Sequence, residues 1–319
     1  MELHEANRIL LSTKAAFAAD GFKLPSSAET DGLMMLLGRL DAEKFLAPKI
    51  KRAKTYEKNS AAFDRAAKLI AFFRALDAVM NGLNDAPVTA MSLTLLNKAL
   101  WGDLEQNAGK PRTKEALDNG SAHTDPKYIS GSLKAILAKM NEIVSAPQTS
   151  KDDFAGYLSH YMRELVILHP FECGSEITVR VFAIMFGRLK GFSLSFSRVP
   201  ASTIKNAEMS AFLADDVTPL FKLFAECLSY DHKTITQSAS PRTRREVANE
   251  LSRPTRAPKP IPAERKPAPK QKTQKQKPDE INKEEVLKRA VRLQQKISKL
   301  NEQLTELIQP LEDNDTDEE

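Results

Sequence analysis

The side chains most able to do chemistry in this 319-residue chain gather in one stretch, HPFECGSEITVR at 169–180. His169 closes one strongly apolar run, and a short loop containing Gly174 opens the next. The first backbone N–H groups of a helix have no partner inside it, so the start of the second helix forms an anion pocket facing the loop. Arg180 follows about a turn and a half later, within reach of that pocket. A guanidinium over free amides is a way to hold phosphate, and a nearby imidazole suits a general base. The same residues also fit a plainer arrangement, a hydrogen-bonded histidine at a helix end beside an exposed arginine.

The elements that must position this stretch read as helices. The 3.6-residue spacing of apolar side chains predicts helices over 60–80, 91–101 and 129–144. Ser150 and Asp153 form a capping box before a helix that carries Phe154, Tyr157, Leu158, Tyr161, Leu165 and Leu168 at core spacing and stops at Pro170. A second apolar helix runs through VRVFAIMFGRL after Gly174, and two more fit 203–214 and 217–229. Residues 107–127 lack periodicity and predict a loop, with a short hairpin at Asn119-Gly120. The body is therefore expected to be all-α. The sequence has no P-loop or dinucleotide-binding glycine pattern, and only 12 glycines, few for a β-rich fold.

Composition narrows the function classes. Two cysteines build neither a disulfide framework nor a Cys-rich zinc site. Runs such as LMMLL and LIAFF fall far short of the ~20 apolar residues of a membrane span, and Glu2, Glu5 and Lys14 do not suit a signal peptide. The expectation is a soluble, cytoplasmic protein. Its formal charge of +5 is uneven: residues 241–278 hold 12 Lys and Arg against 3 acids, together with eight prolines and no aromatic side chain. That composition predicts a disordered basic linker, and with no aromatic side chain for bases to stack on and no amphipathic face, nucleic acid is not an expected partner. Val286, Ala290, Leu293, Ile297, Leu300, Leu304 and Leu307 are spaced alternately four and three, which predicts a coiled-coil helix pairing through 283–309 with itself or a partner. Six acids in 312–319 form an acidic tail. The expected divisions are an N-terminal helical extension (1–58), a domain at 59–232 that carries the motif, the basic Pro-rich linker (233–280), the coiled-coil helix (281–309) and the acidic tail (310–319).

The stretch at 169–180 resembles the signature of the Fic family, H-P-F-x-(D/E)-G-N-G-R-x-x-R across a helix–loop–helix, at His169, Pro170, Phe171, Gly174 and Arg180. LLNKALWGDLEQNAGKPR is similar to the family's Leu-His-x-x-Leu-Phe…Ala-Gly-x-x-Arg segment, and DDVTPLFKLFAECL to a closing helix with Pro-Leu-x-x-Phe-Phe. The resemblance implies a Fic-fold helical bundle related to enzymes that use Mg²⁺ and ATP to attach AMP to a Ser, Thr or Tyr hydroxyl of a target protein. It also implies that His169 is the base and that Gly174, Ser175 and Arg180 contact phosphate. Four positions depart from the signature. The metal-binding acid falls on Cys173, a soft ligand unsuited to a hard cation. Ser175 stands for Asn, Glu176 for the second Gly, and Ile177 for the first Arg. The last two exchanges lower the charge of the phosphate pocket by two. Glu176 also has a simple structural role, since an acid in the first turn of a helix gains up to ~1 kcal/mol from the helix dipole.

These departures lead to the expectation of a catalytically degenerate Fic protein acting by binding or regulation, with no confident cofactor. The competing expectation is an active nucleotidyl or phosphoryl transferase with His169 as base and Mg²⁺ and ATP as cofactors; a regulatory partner of an active relative is a third. Ser27-Ala-Glu-Thr-Asp31-Gly32 resembles the family's inhibitory (S/T)-x-x-x-E-(G/N) motif with Asp31 in place of Glu, and a helix cap before GLMMLLGRL explains it as well.

Overall fold

The computed structural model describes residues 1–82, 87–146 and 149–230. The chain divides into a unit of Met1–Arg253 and a second of Pro254–Glu319, and all described residues lie in the first. The expected linker, coiled-coil helix and acidic tail lie outside the described residues.

Ten α-helices are present among the described residues: α1 (Leu3–Ala18), α2 (Ser26–Leu36), α3 (Ala42–Ala53), α4 (Ala61–Asn81), α5 (Ala90–Trp101), α6 (Pro126–Ser145), α7 (Lys151–Leu168), α8 (Ser175–Leu189), α9 (Ala201–Leu213) and α10 (Thr218–Cys227). The expected all-α body is the observed one, and helix starts follow side-chain chemistry. Ser60 accepts from the Phe63 amide at the head of α4, and Ser150 accepts from the Asp153 amide at the head of α7 while its hydroxyl donates to the Asp153 carboxylate. Each such cap contributes about 1 kcal/mol.

Two helices organise the interior. In α8, residues from Ser175 to Gly187 are buried all round except Glu176, so this helix takes the centre and packs on α1, α4, α5 and α7. In α4, Phe72 is fully buried and meets Phe17 of α1 edge to face, with ring centroids 5.6 Å apart.

Small β elements complete the fold. β1 (Leu117–Asp118) and β2 (Ser121–Ala122) form the hairpin expected at Asn119-Gly120, both of which have positive φ, 50° and 79°, as a type I′ turn needs. A second antiparallel pair, β3 (Phe192–Leu194) with β4 (Leu228–Tyr230), has no counterpart in the sequence reading. The helix expected over 217–229 stops at Cys227 because the next three residues pair with β3 instead. Three-residue strands are too short to display alternation. The Ser27–Gly32 segment does not cap a helix before Gly32: α2 already begins at Ser26, so Asp31 sits within it.

Replacing Phe72 by Ala removes the ring that joins α4 to α1 and should cost about 3–5 kcal/mol. Urea unfolding of the two proteins measures it, and a loss below about 1 kcal/mol would mean this contact is not central.

Candidate functional site

The motif spans the six-residue loop between α7 and α8 (169–174) and the start of α8. His169 terminates α7 in the left-handed region (φ 43°, ψ 66°), an unusual state for a residue with a side chain. Arg112 holds it there. This arginine is 3 % exposed, and its guanidinium donates to the carbonyls of His169 (2.7 Å), Lys114 (2.7 Å), Thr124 and Leu168 (3.3 Å). It thereby satisfies carbonyls that the end of α7 leaves free. The loop is fixed from the other side by Asn97 of α5. Its amide donates to the Cys173 carbonyl (3.0 Å) and the Thr178 hydroxyl (2.9 Å), and its oxygen accepts from the Gly109 amide (2.7 Å).

Gly174 caps α8 with φ 56°, and a Cβ there would lie 2.1 Å from the Trp101 ring. Both the backbone state and the close indole require glycine. Ser175 is buried, and its hydroxyl lies 3.5 Å from the Phe171 amide. Ile177 is buried too, beside a cleft of about 720 Å³ that is also lined by Asp20, Trp101, Cys173, Gly174 and Glu176.

Electrostatics in the site are dominated by three groups. His169 Nδ1 lies 3.8 Å from Glu176 Oε1. Burial holds His169 below the ordinary imidazole value, and Glu176 offsets this only in part. Burial pushes the Glu176 carboxyl up, but His169, a backbone N–H at the start of α8, Lys205 and Arg180 outweigh it, and the carboxyl titrates below the ordinary carboxylate range. Burial also pushes the Cys173 thiol up to about 12. A neutral thiol does not suit Mg²⁺, so the residues at the motif's metal position do not fit that ion. Among the described residues no three His, Cys, Asp or Glu side chains gather to hold a metal.

Arg180 does not face the cleft. It is fully buried, and its guanidinium donates to both Glu208 oxygens (2.7 and 2.5 Å), to Asp20 (2.8 Å) and to the Ala16 carbonyl (2.9 Å). Burial disfavours its charge, yet Glu208 and Asp20 hold its pKa above the ordinary arginine value. Asp31, half-buried in α2, lines neither the cleft nor the small pocket beside His169.

The structure thus gathers His169, Cys173, Gly174, Ser175, Glu176 and Ile177 at one place, and turns Arg180 away toward α1 and α9. Sequence reasoning did not single out Asn97, Asp20, Glu208, Lys205 or His123 as parts of this site. The His123 ring lies 4.5 Å from His169 and stacks on Phe212 at 4.1 Å. The one available signal was the Ala-Gly-x-x-Arg segment, which ends at Arg112.

Removing Glu208 alone leaves the Arg180 charge buried with half its partners and should cost about 3–5 kcal/mol. Replacing both, as Arg180→Met with Glu208→Leu, should cost distinctly less, and equal losses in chemical denaturation would contradict the pairing.

A second expectation concerns acid. Burial lowers the pKa of His123 as well as His169. The unfolded chain, with imidazoles near 6.5, therefore binds more protons than the folded one just below that pH. Stability is complete above about pH 6.5 and declines as the pH falls toward the folded values. Melting temperature should drop between about pH 7 and about pH 5, and less steeply in His123→Gln; identical profiles would refute the assignment.

No helix among the described residues is long and apolar enough to cross a membrane. No family model matches the chain. Curated relatives do. It is 25% identical over 142 residues to the "Probable protein adenylyltransferase Fic" of Salmonella typhimurium, covering 44% of this chain and 70% of that protein. The protein of the same name from Escherichia coli is 25% identical over 137 residues, 43% of this chain and 68% of its own length. Among solved structures, BepC from Bartonella tribocorum with bound AMPPNP aligns at a TM-score of 0.45 and 17% identity, over 52% of this chain and 85% of BepC. In its motif residues, in the helix–loop–helix that carries them and in its match to these adenylyltransferases, the chain is similar to the Fic family.

Proposed function

We propose that this Fic-fold chain acts by binding, with adenylyl transfer lost, and that the domain responsible spans 59–232 behind the helical extension of 1–58. The observation that carries this reading is the fate of the motif's charges. Arg180, the only arginine the motif retains, is saturated by Glu208, Asp20 and the Ala16 carbonyl. Glu176 brings a carboxylate to the first turn of α8, where the signature has a glycine. Ile177 supplies no charge where the signature has an arginine. The cleft is lined by four carboxylates (Asp20, Asp64, Glu105, Glu176) and two amines (Lys68, Lys205), a poor match to a triphosphate.

The partner is a protein on this reading, engaged by the folded body and by the heptad seam of 283–309. The seam's three heptads are short for a helix standing alone, which favours pairing. His169 keeps the base position of the signature, and its depressed pKa leaves the imidazole neutral at pH 7, so a transferase with relaxed metal use is the competing reading.

Nucleotide binding separates the two. With about 1 mM Mg²⁺-ATP the full chain should show no thermal shift and transfer no label to protein. The double change Glu176→Gly with Ile177→Arg should gain a shift. A shift in the unaltered chain, with label transfer lost in His169→Ala, would establish a transferase and end the binding reading.

A further inference from the structure

Two cavities meet at the motif, and among the described residues the same two side chains line both. One is the open cleft of about 720 Å³. The other, of about 10 Å³, is bounded by His169, His123, Asp118, Glu208, Met209 and Phe212 and by the same pair as the cleft, Glu176 of α8 and Lys205 of α9. A space of that size holds one water at most. We propose that Glu176 and Lys205 form a gate that seals His169 off from whatever occupies the cleft. The inference builds on the binding reading and adds a physical device to it: the imidazole that could act as a base is walled away from the open cleft.

The positions of the two side chains explain the wall. Glu176 Oε1 stands 3.8 Å from His169 Nδ1, and the same side chain lines the cleft beside Gly174. Lys205 Nζ, from the second turn of α9, comes within 3.7 Å of Asp118 Oδ2 in β1. Lys205 and Glu176 attract each other, which favours the closed arrangement. The opposite side of the small pocket is closed by packing, since Phe212 lies flat on His123 and His123 lies against His169. A ligand in the cleft therefore meets the carboxylate of Glu176 and the amine of Lys205 before it can meet the imidazole. The signature's glycine at position 176 carries no side chain, so the exchange to Glu is what builds half of the gate.

Acylation by diethyl pyrocarbonate tests this, because the reagent attacks neutral imidazole and burial keeps His169 in that form near pH 7. The full-length chain is treated in parallel with Glu176→Gly and Lys205→Ala, and each histidine is followed by peptide mass spectrometry. His4 and His160 are exposed and set the fast reference; His123, under Phe212, sets the slow one. His169 should react as slowly as His123 in the unaltered chain and at least about tenfold faster in either variant, while His123 stays slow. Fast reaction of His169 in the unaltered chain overturns the gate. So does a rate unchanged in both variants, or an acceleration of His123 and His169 alike. No nucleotide is present, so the gate and the proposed loss of transfer can fail separately.

Discussion

The guanidinium of Arg180 is the constraint on which the rest of this domain depends. It is a cation with no exposed surface, and an unpaired charge in such a place would cost several kcal/mol. Its four hydrogen bonds reach two different elements: Glu208 of α9, and the Ala16 carbonyl of α1 with Asp20 just beyond that helix. α8 is the central helix, so fixing α1 and α9 against it fixes the walls of the site. Asp20 is placed in the cleft by this cluster, and Lys205 is carried on the same helix as Glu208. Both cavities at the motif therefore inherit their shape from one buried ion cluster.

A second network sets the loop itself. Arg112 and Asn97 have opposite chemistry, yet both bind mainly backbone or buried polar groups of the motif. Arg112 neutralises the carbonyl end of α7, where the helix dipole is negative, and holds His169 in a backbone state that costs about 1–3 kcal/mol in a residue with a side chain. Asn97 satisfies the Cys173 carbonyl and the Thr178 hydroxyl from inside. The Trp101 ring pressed on Gly174 adds a third contact that shapes the loop.

Much of this was legible in the sequence, and the reasons differ by element. α4, α6, α7 and α8 announce themselves because long apolar stripes at helical spacing are hard to mistake, and Ser150-x-x-Asp153 marks a start through its own chemistry. The β3–β4 pair was not legible, since three residues carry no period and the pairing joins segments 38 residues apart at its outer register, Phe192 with Tyr230. At the site, the residues adjacent in sequence were found and those brought in by the fold were not. Arg180 is instructive: spacing places it near the loop, but its direction is decided by Glu208 and Asp20, 28 and 160 residues away, and no local pattern points to them.

The weight of Glu176 follows from comparing two magnitudes. An anion at the start of a helix gains about 0.3–1 kcal/mol from the dipole, and up to ~2 in a partly buried geometry. Two like charges about 4 Å apart near a protein surface repel by about 4 kcal/mol. A carboxylate already seated in the first turn of α8 therefore takes the dipole's stabilisation for itself and imposes on any second anion a repulsion larger than what the helix end can offer. A guanidinium facing the loop would restore the balance, but Ile177 carries none and Arg180 is spent on α1 and α9. On the proposed binding reading the start of α8 is thus self-neutralised: its anion is covalently attached, and the motif's one arginine serves the fold.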